Sequence, residues 1–157
     1  VSFLIFGTGP DEPKLRSLAE KLGVGSRARF MGQMGHADMP KYLKASDIYV
    51  RPSLSEGFGI VFVEAMAAGL PVIATQEGGI ADFLFDAKRN PDKPTTGWAV
   101  DKNSPEQIAE AVKDILANPE QVSRVKETAK KMAIEKYDWN LIAKQMRSVF
   151  TKMFESR

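Results

Sequence analysis

The stretch PSLSEGFGIVFVEAMAAGLPVIA, residues 52–74, runs from a polar loop through a Gly-x-Gly turn into one apolar segment. Past a further glycine and a proline it enters another. Ile60–Ala68 reads as a helix. Gly69 supplies the left-handed residue with which helices commonly stop, and Pro71 has no amide to carry the helix on. Val72–Thr75 then reads as a strand. So does Asp47–Val50 ahead of the loop, ended by Arg51-Pro52-Ser53. Two short strands joined through a helix run parallel, because the crossover carries the chain back to the end of the sheet where it began.

The same alternation extends both ways. Val1–Phe6 reads as a buried strand ending in Gly7-Thr8-Gly9-Pro10, and Asp11–Leu22 has apolar residues at helical spacing, stopped by Gly23 and Gly25. Ala28–Met31 is a further strand, and Asp38 before Pro40 opens a helix through Ala45. After Gly78-Gly79 come a short helix at Ile80–Leu84, a charged loop from Asp86 to Thr96, and a strand at Trp98–Val100. Ser104-Pro105-Glu106-Gln107 starts a helix, with Gln107 spaced for a capping box, and Asn118-Pro119 breaks it. Helices at Glu120–Lys136 and Trp139–Phe154 complete the chain. The expected fold class is α/β, a parallel sheet with helices on both faces, in one domain spanning 1–157 with a helical tail over 120–157. In such sheets ligands bind where strands end, at a switch in strand order.

The 157 residues are 43% hydrophobic and 27% charged with a net charge of +2, which suits one globular domain and gives no footprint for nucleic acid. No apolar run reaches the length of about 20 residues that a bilayer span needs. Without cysteine there is neither a disulfide nor a cysteine–metal site. Val1–Phe6 has nothing leading into it, so a longer parent chain, truncated here at its amino-terminal end, is expected.

The loop at 53–59 holds the chemistry. The first amides of the following helix, near Phe58, Gly59 and Ile60, lack intrahelical acceptors and carry partial positive charge, a setting for phosphate or sugar oxygens. Glu56 lies in the loop and Glu64 one turn into the helix, and carboxylates accept several hydrogen bonds from sugar hydroxyls. A plain tight turn, with a glutamate favoured by the helix dipole, fits the same residues. Lys and Arg outnumber Asp and Glu from Glu120 to Arg157, and Leu141, Ile142, Met146, Val149, Phe150 and Met153 recur near helical spacing. That describes a solvated face over a packed stripe, or a surface for a second domain or an anionic membrane. Trp98, Trp139 and Phe154 are expected in the core or against a neighbouring domain, and Met31, Met34, Met39 and Met66 as gap fillers. His36 is read as a loop residue rather than a general base.

The segment resembles the signature of glycosyltransferase family 4, the group-1 family of GT-B enzymes. Glu56 and Glu64 stand eight positions apart around Gly57-Phe58-Gly59-Ile60, and Glu64–Val72 has the family's wording. Gly78-Gly79-Ile80, Phe6–Pro10, Phe30-Met31-Gly32 and Tyr137-Asp138-Trp139 match its other landmarks in order. The resemblance implies a Rossmann-like fold, the carboxyl-terminal, donor-binding half of a retaining hexosyltransferase. It assigns Glu64 to the ribose hydroxyls of a UDP- or GDP-sugar and Glu56 to the transferred sugar as the catalytic carboxylate. Gly57, Phe58, Gly59 and Ile60 fall to the sugar and distal phosphate, and Gln33 and Met34 lie near the base. It implies no metal and no cofactor beyond the nucleotide-diphosphate sugar. The implied partner is an amino-terminal acceptor-binding domain, and the setting is the cytoplasm, with peripheral contact at the inner face of the membrane open to the parent. The family's upstream arginine and lysine are missing, and Ala81-Asp82 replaces its usual proline and glutamate. This chain alone is therefore expected to transfer little. A non-catalytic nucleotide-sugar-binding module, or another GT-B enzyme such as a sugar-nucleotide epimerase, are the competing readings.

Overall fold

Val72-Ile73-Ala74, too short and apolar to tolerate water on either side, forms a strand with no exposed surface. It is the middle of a three-stranded parallel sheet. In chain order the computed structural model has β1 (Phe3–Phe6), α1 (Glu12–Lys21), a 3-10 turn (Gly25–Arg27), β2 (Ala28–Gly32), α2 (Met39–Lys44), β3 (Tyr49–Arg51) and α3 (Ile60–Ala67). There follow β4 (Val72–Ala74), a 3-10 turn (Gly78–Asp82), β5 (Trp98–Ala99), α4 (Pro105–Ala117), α5 (Pro119–Tyr137) and α6 (Trp139–Glu155). The structure describes residues 1–155, so the basic Arg157 lies outside the described residues. The chain forms two compact units, Val1–Lys41 and the remainder from Tyr42.

In the first unit β1 and β2 pair in parallel from Phe3 opposite Ala28 to Phe6 opposite Gly32, with a slip between Ile5 and Phe6. The Gly7 amide donates to the Gly32 carbonyl at 2.8 Å. The guanidinium of Arg16 on α1 lies 4.4 Å from the centroid of the Phe30 ring. The buried strand expected at Val1–Phe6 is instead half open: Phe3 is 50% exposed. Two strands and one helix carry too little apolar surface to cover both faces of the ladder.

In the second unit β4 pairs with β3 (Val50 opposite Ile73) and with β5 (Ile73 opposite Trp98), all parallel. Side chains alternate across a strand. Ile73 therefore faces one side, where it joins Trp98, Val100, Ala111 and Ile115 of α4, and Val125 of α5. Val72 and Ala74 face the other. α3 packs against β4 and α5 and is apolar apart from Glu64, with Phe62, Ala65 and Met66 fully buried. Parallel strands with helices on both sides match the expected fold class. α5 is a wall of the core, burying Val125, Ala129, Met132 and Ala133, whereas α6 has no buried residue.

Several local expectations change. Ile80–Leu84 is not an α-helix: the turn is 3-10 and spans Gly78–Asp82. The capping box at α4 does not form. Ser104 makes no side-chain cap, and Gln107 turns back to Asp101, accepting from its amide and donating to its carboxylate, both at 2.8 Å. The Asp86–Thr96 loop is firmly held rather than merely solvated. Asp86 accepts from the amides of Lys88 and Ala99, and Asn90 Oδ1 accepts from Gln76 at 2.6 Å. Thr96, buried, donates to the Phe83 carbonyl at 2.6 Å and accepts from the Phe85 amide at 2.8 Å. Of the four methionines expected to fill gaps, Met66 is fully buried and Met31 is 37% exposed. Trp98 is buried, its indole donating to Asp114 at 2.7 Å, but Trp139 and Phe154 are exposed on α6. Met146, Val149, Phe150 and Met153 are exposed on the same helix, so the stripe expected to be packed is open. No helix among the described residues is long and apolar enough to cross a membrane.

Two outcomes follow for stability. Thr96→Val keeps the shape but strips the Phe83 carbonyl and the Phe85 amide of their partner, and should cost about 1–3 kcal/mol. Urea unfolding should show a lower midpoint at unchanged slope; an unmoved midpoint would mean that the hydroxyl is dispensable. Tyr49 stands edge-on to Phe62 at 5.6 Å, and burial pushes its phenol above the ordinary value, with Arg51 pulling part of the way back. A phenol whose folded pKa is raised contributes stability that is complete below the unfolded value of about 10 and is lost as pH climbs through the folded one. The urea midpoint should therefore fall above about pH 10, and Tyr49→Phe should make that fall shallower.

Candidate functional site

β3 ends at Arg51 because Pro52 has no amide for the ladder, and the chain leaves the sheet into the loop Ser53–Gly59. Three anchors set that loop. The hydroxyl of Thr75, the residue after β4, is buried and donates to the Ser53 carbonyl at 2.6 Å. The Gly79 amide donates to the Gly57 carbonyl at 2.7 Å. Phe58 leans on Phe83 and Tyr137, with ring centroids 5.5 and 5.3 Å away. Burial raises the Tyr137 phenol, and the charge of Asp82 adds to the rise.

The Gly78-Gly79 pair lies directly against the loop's backbone. A Cβ on Gly78 would collide with the Glu56 carbonyl oxygen, and one on Gly79 would meet the Gly57 carbonyl oxygen and stand 3.0 Å from the Phe58 Cα. Gly78 also has φ +55°, in the region that favours glycine. At the loop's other end Gly59 takes φ +76°, ψ +60°, a conformation that lets the chain turn into α3 without a side-chain cap. A Cβ there would press on the Phe62 ring. The Phe62 amide closes on the Gly59 carbonyl at 3.0 Å. The amides of Ile60 and Val61 ahead of it have no acceptor within the helix, and Ile60 itself is 46% exposed.

Glu56 is drawn in under this helix start. Its Oε2 accepts from the Arg51 guanidinium at 3.0 Å and from the Ser53 hydroxyl at 3.3 Å, and its side chain is only 15% exposed. Glu64 lies one turn into α3 and is half-buried. The Tyr49 phenol ties the two together. Burial is the main cause of its raised value, the Arg51 hydrogen bond and charge act against it, and the negative charges of Glu56 and Glu64 both push it further up. Both carboxylates therefore lie within electrostatic reach of one hydroxyl.

The structure thus brings together Glu56, Gly57, Phe58, Gly59, Ile60 and Glu64. Gln33 and Met34 follow β2 in the first unit, the former exposed and the latter half-buried. A hollow of about 200 Å³ in that unit is lined by Gly7, Thr8, Gly9, Pro10, Glu12 and Phe30, and a second of about 250 Å³ by Pro94, Thr95, Gln121, Arg124 and Thr128. Neither is lined by any of Glu56–Glu64. Among the described residues no group of three or more His, Asp or Glu is arranged to hold a metal ion. Sequence reasoning missed Arg51, Tyr49 and Thr75 as parts of the site. The one signal available was a cation at the end of an otherwise apolar strand.

Comparison with known proteins gives the family and the fold. A family profile described as glycosyl transferases group 1 matches residues 1–132. D-inositol 3-phosphate glycosyltransferase of Corynebacterium urealyticum is 32% identical over 148 residues, covering 94% of this chain and 33% of that protein. Sucrose-phosphate synthase of Thermosynechococcus elongatus superposes with a TM-score of 0.82 at 28% identity, over 98% of this chain and 39% of that one. HepE of Anabaena, solved in complex with UDP-glucose, gives 0.84 at 22% identity, over 97% and 41%. The chain thus spans about a third of the length of the curated relative, 33%. With the profile covering most of its length, the chain belongs to the glycosyl transferases group 1 family.

Proposed function

We propose that this chain is the nucleotide-sugar-binding part of a retaining glycosyltransferase of family 4, the carboxyl-terminal half of a GT-B enzyme that moves a hexose from a UDP- or GDP-sugar. One observation carries the reading. Two carboxylates flank an uncapped helix start in the segment that leaves the end of β3, and covered sheets hold their ligands at strand ends. In this reading Glu64 accepts hydrogen bonds from the ribose hydroxyls. The amides around Phe58, Gly59 and Ile60 face the distal phosphate and the sugar hydroxyls, and the helix dipole favours the charge left on the departing nucleotide. Glu56 faces the transferred sugar, orients it, and eases positive charge at the anomeric carbon as the bond to phosphate breaks. No metal is required in this scheme; cations for the diphosphate come from the remainder of the parent.

The share of its relatives that the chain covers suits this division of labour. The chain's relatives are about three times its length, since it covers 33% of the first of them. In the proposal an amino-terminal domain closes the site and brings the acceptor. Gln33 and Met34 are assigned to the base side. The basic, amphipathic α6 is compatible with a parent in the cytoplasm that touches the inner face of the membrane.

Titrating UDP-glucose and GDP-mannose into the protein should shift the amide resonances of Gly57–Glu64; shifts confined elsewhere would remove the site. Glu64→Ala should weaken UDP binding about tenfold or more, as expected for losing hydrogen bonds to a charged acceptor, with the circular dichroism unchanged. The ribose assignment makes a sharper demand: 2′-deoxy-UDP should bind less tightly than UDP to the wild type and equally to the variant. Donor binding by the intact protein without turnover would favour the non-catalytic module.

A further inference from the structure

The cation beside Glu56 has no part in the scheme above, yet its surroundings are specific. Arg51 is the last residue of β3, and its backbone is set by the ladder opposite Ala74. Its guanidinium is engaged on two sides. Nη2 meets Glu56 Oε2 at 3.0 Å, and the group lies 5.5 Å from the centroid of the fully buried Phe62 ring. The planar guanidinium can stack on a ring and hold a carboxylate at once, which an ammonium cannot do as well. Arg51 is 46% exposed while Glu56 is 15% exposed, so the positive partner faces outward and the negative one is shielded behind it.

We propose that Arg51 is a positioning residue for the donor site, holding Glu56 in place and supplying the positive charge that lets an anionic donor approach a pair of glutamates. This rests on the donor-site reading above. A nucleoside diphosphate carries its own negative charges toward Glu56 and Glu64, and like charges at close range repel in a partly desolvated site. Arg51 offsets that repulsion without occupying the helix start. It also fixes the orientation of a carboxylate that otherwise accepts, among the described residues, from the Ser53 hydroxyl at 3.3 Å. Both effects run through Glu56, so the importance of Arg51 depends on Glu56 being a carboxylate.

That dependence is the test. In the intact protein, Arg51→Met, Glu56→Gln and the double variant are compared with the wild type by calorimetric titration of UDP-glucose and GDP-mannose, and by the slow release of nucleotide from each donor in water. Arg51→Met should weaken donor binding about tenfold when Glu56 is present and by less than about threefold in the Glu56→Gln background, the signature of coupled residues. Arg51→Lys should recover part of the loss, and millimolar guanidinium should restore nucleotide release to Arg51→Met but not to the double variant. A residue that merely stabilised the fold would show none of this dependence. If Arg51→Met does not fold, Arg51→Lys carries the same cycle, with a loss of a few-fold that vanishes alongside Glu56→Gln. Equal losses in both backgrounds, or no loss, overturn the proposal while leaving the donor site standing. A wild-type protein that binds neither donor removes the donor-site reading and this inference together.

Discussion

A 2.7 Å hydrogen bond from the Gly79 amide to the Gly57 carbonyl is the constraint on which the rest of the site hangs. It joins two stretches of bare backbone, and it forms only because neither Gly78 nor Gly79 carries a Cβ that would strike the Glu56 and Gly57 carbonyls. Close approach of this kind is what glycine permits and every other residue forbids. With the loop pinned there and at Thr75, the direction in which the chain enters α3 is settled. The places of Glu56 before the helix and Glu64 inside it follow from that direction.

The electrostatics at that point are unusual for an anion site. Two glutamates flank the helix start where phosphate oxygens are proposed to come, and that start alone supplies only a fraction of a positive charge. The structure answers with Arg51, seated on Phe62 and paired with Glu56. Carboxylates in such a place choose hydroxyl-rich ligands, since they accept hydrogen bonds and offer none. The adjacent cation keeps that choice from excluding a charged one. The hydrophobic core beneath makes the arrangement stiff: Phe62 and Phe83 are fully buried and in contact with one another, 6.2 Å between centroids.

Much of this was legible in the residues. Gly59, Gly69 and Pro71 bracket a helix by chemistry that acts within a few positions, and α3 indeed runs Ile60–Ala67. β4 and the turn at Gly78 were readable for the same reason. What escaped depends on partners distant in sequence. Asp86 reaches the amide of Ala99 across 13 positions and Gln76 reaches Asn90 across 14, so no local pattern announces that the loop between them is ordered. Gln107 had the right spacing for a capping box, but Asp101 offered it both a donor and an acceptor and won. Arg51 looked like the polar end of a strand, because nothing in its neighbours says that Glu56 folds back toward it. The apolar stripe of α6 was readable as a stripe, but periodicity does not say whether a partner for it lies in the same chain.

That last helix governs how the molecule behaves as a colloid. Trp139, Phe154 and the residues between them at helical spacing present an oily ridge to the medium, and each square ångström of it carries a free-energy penalty of roughly 25 cal/mol in water. A net charge of only +2 offers little mutual repulsion to keep such ridges apart. Ionic strength, surfactant and concentration will therefore matter more to the shelf life of this polypeptide than to that of one with its grease hidden. The terminal helix, rather than the loop at residues 53–59, sets its phase behaviour.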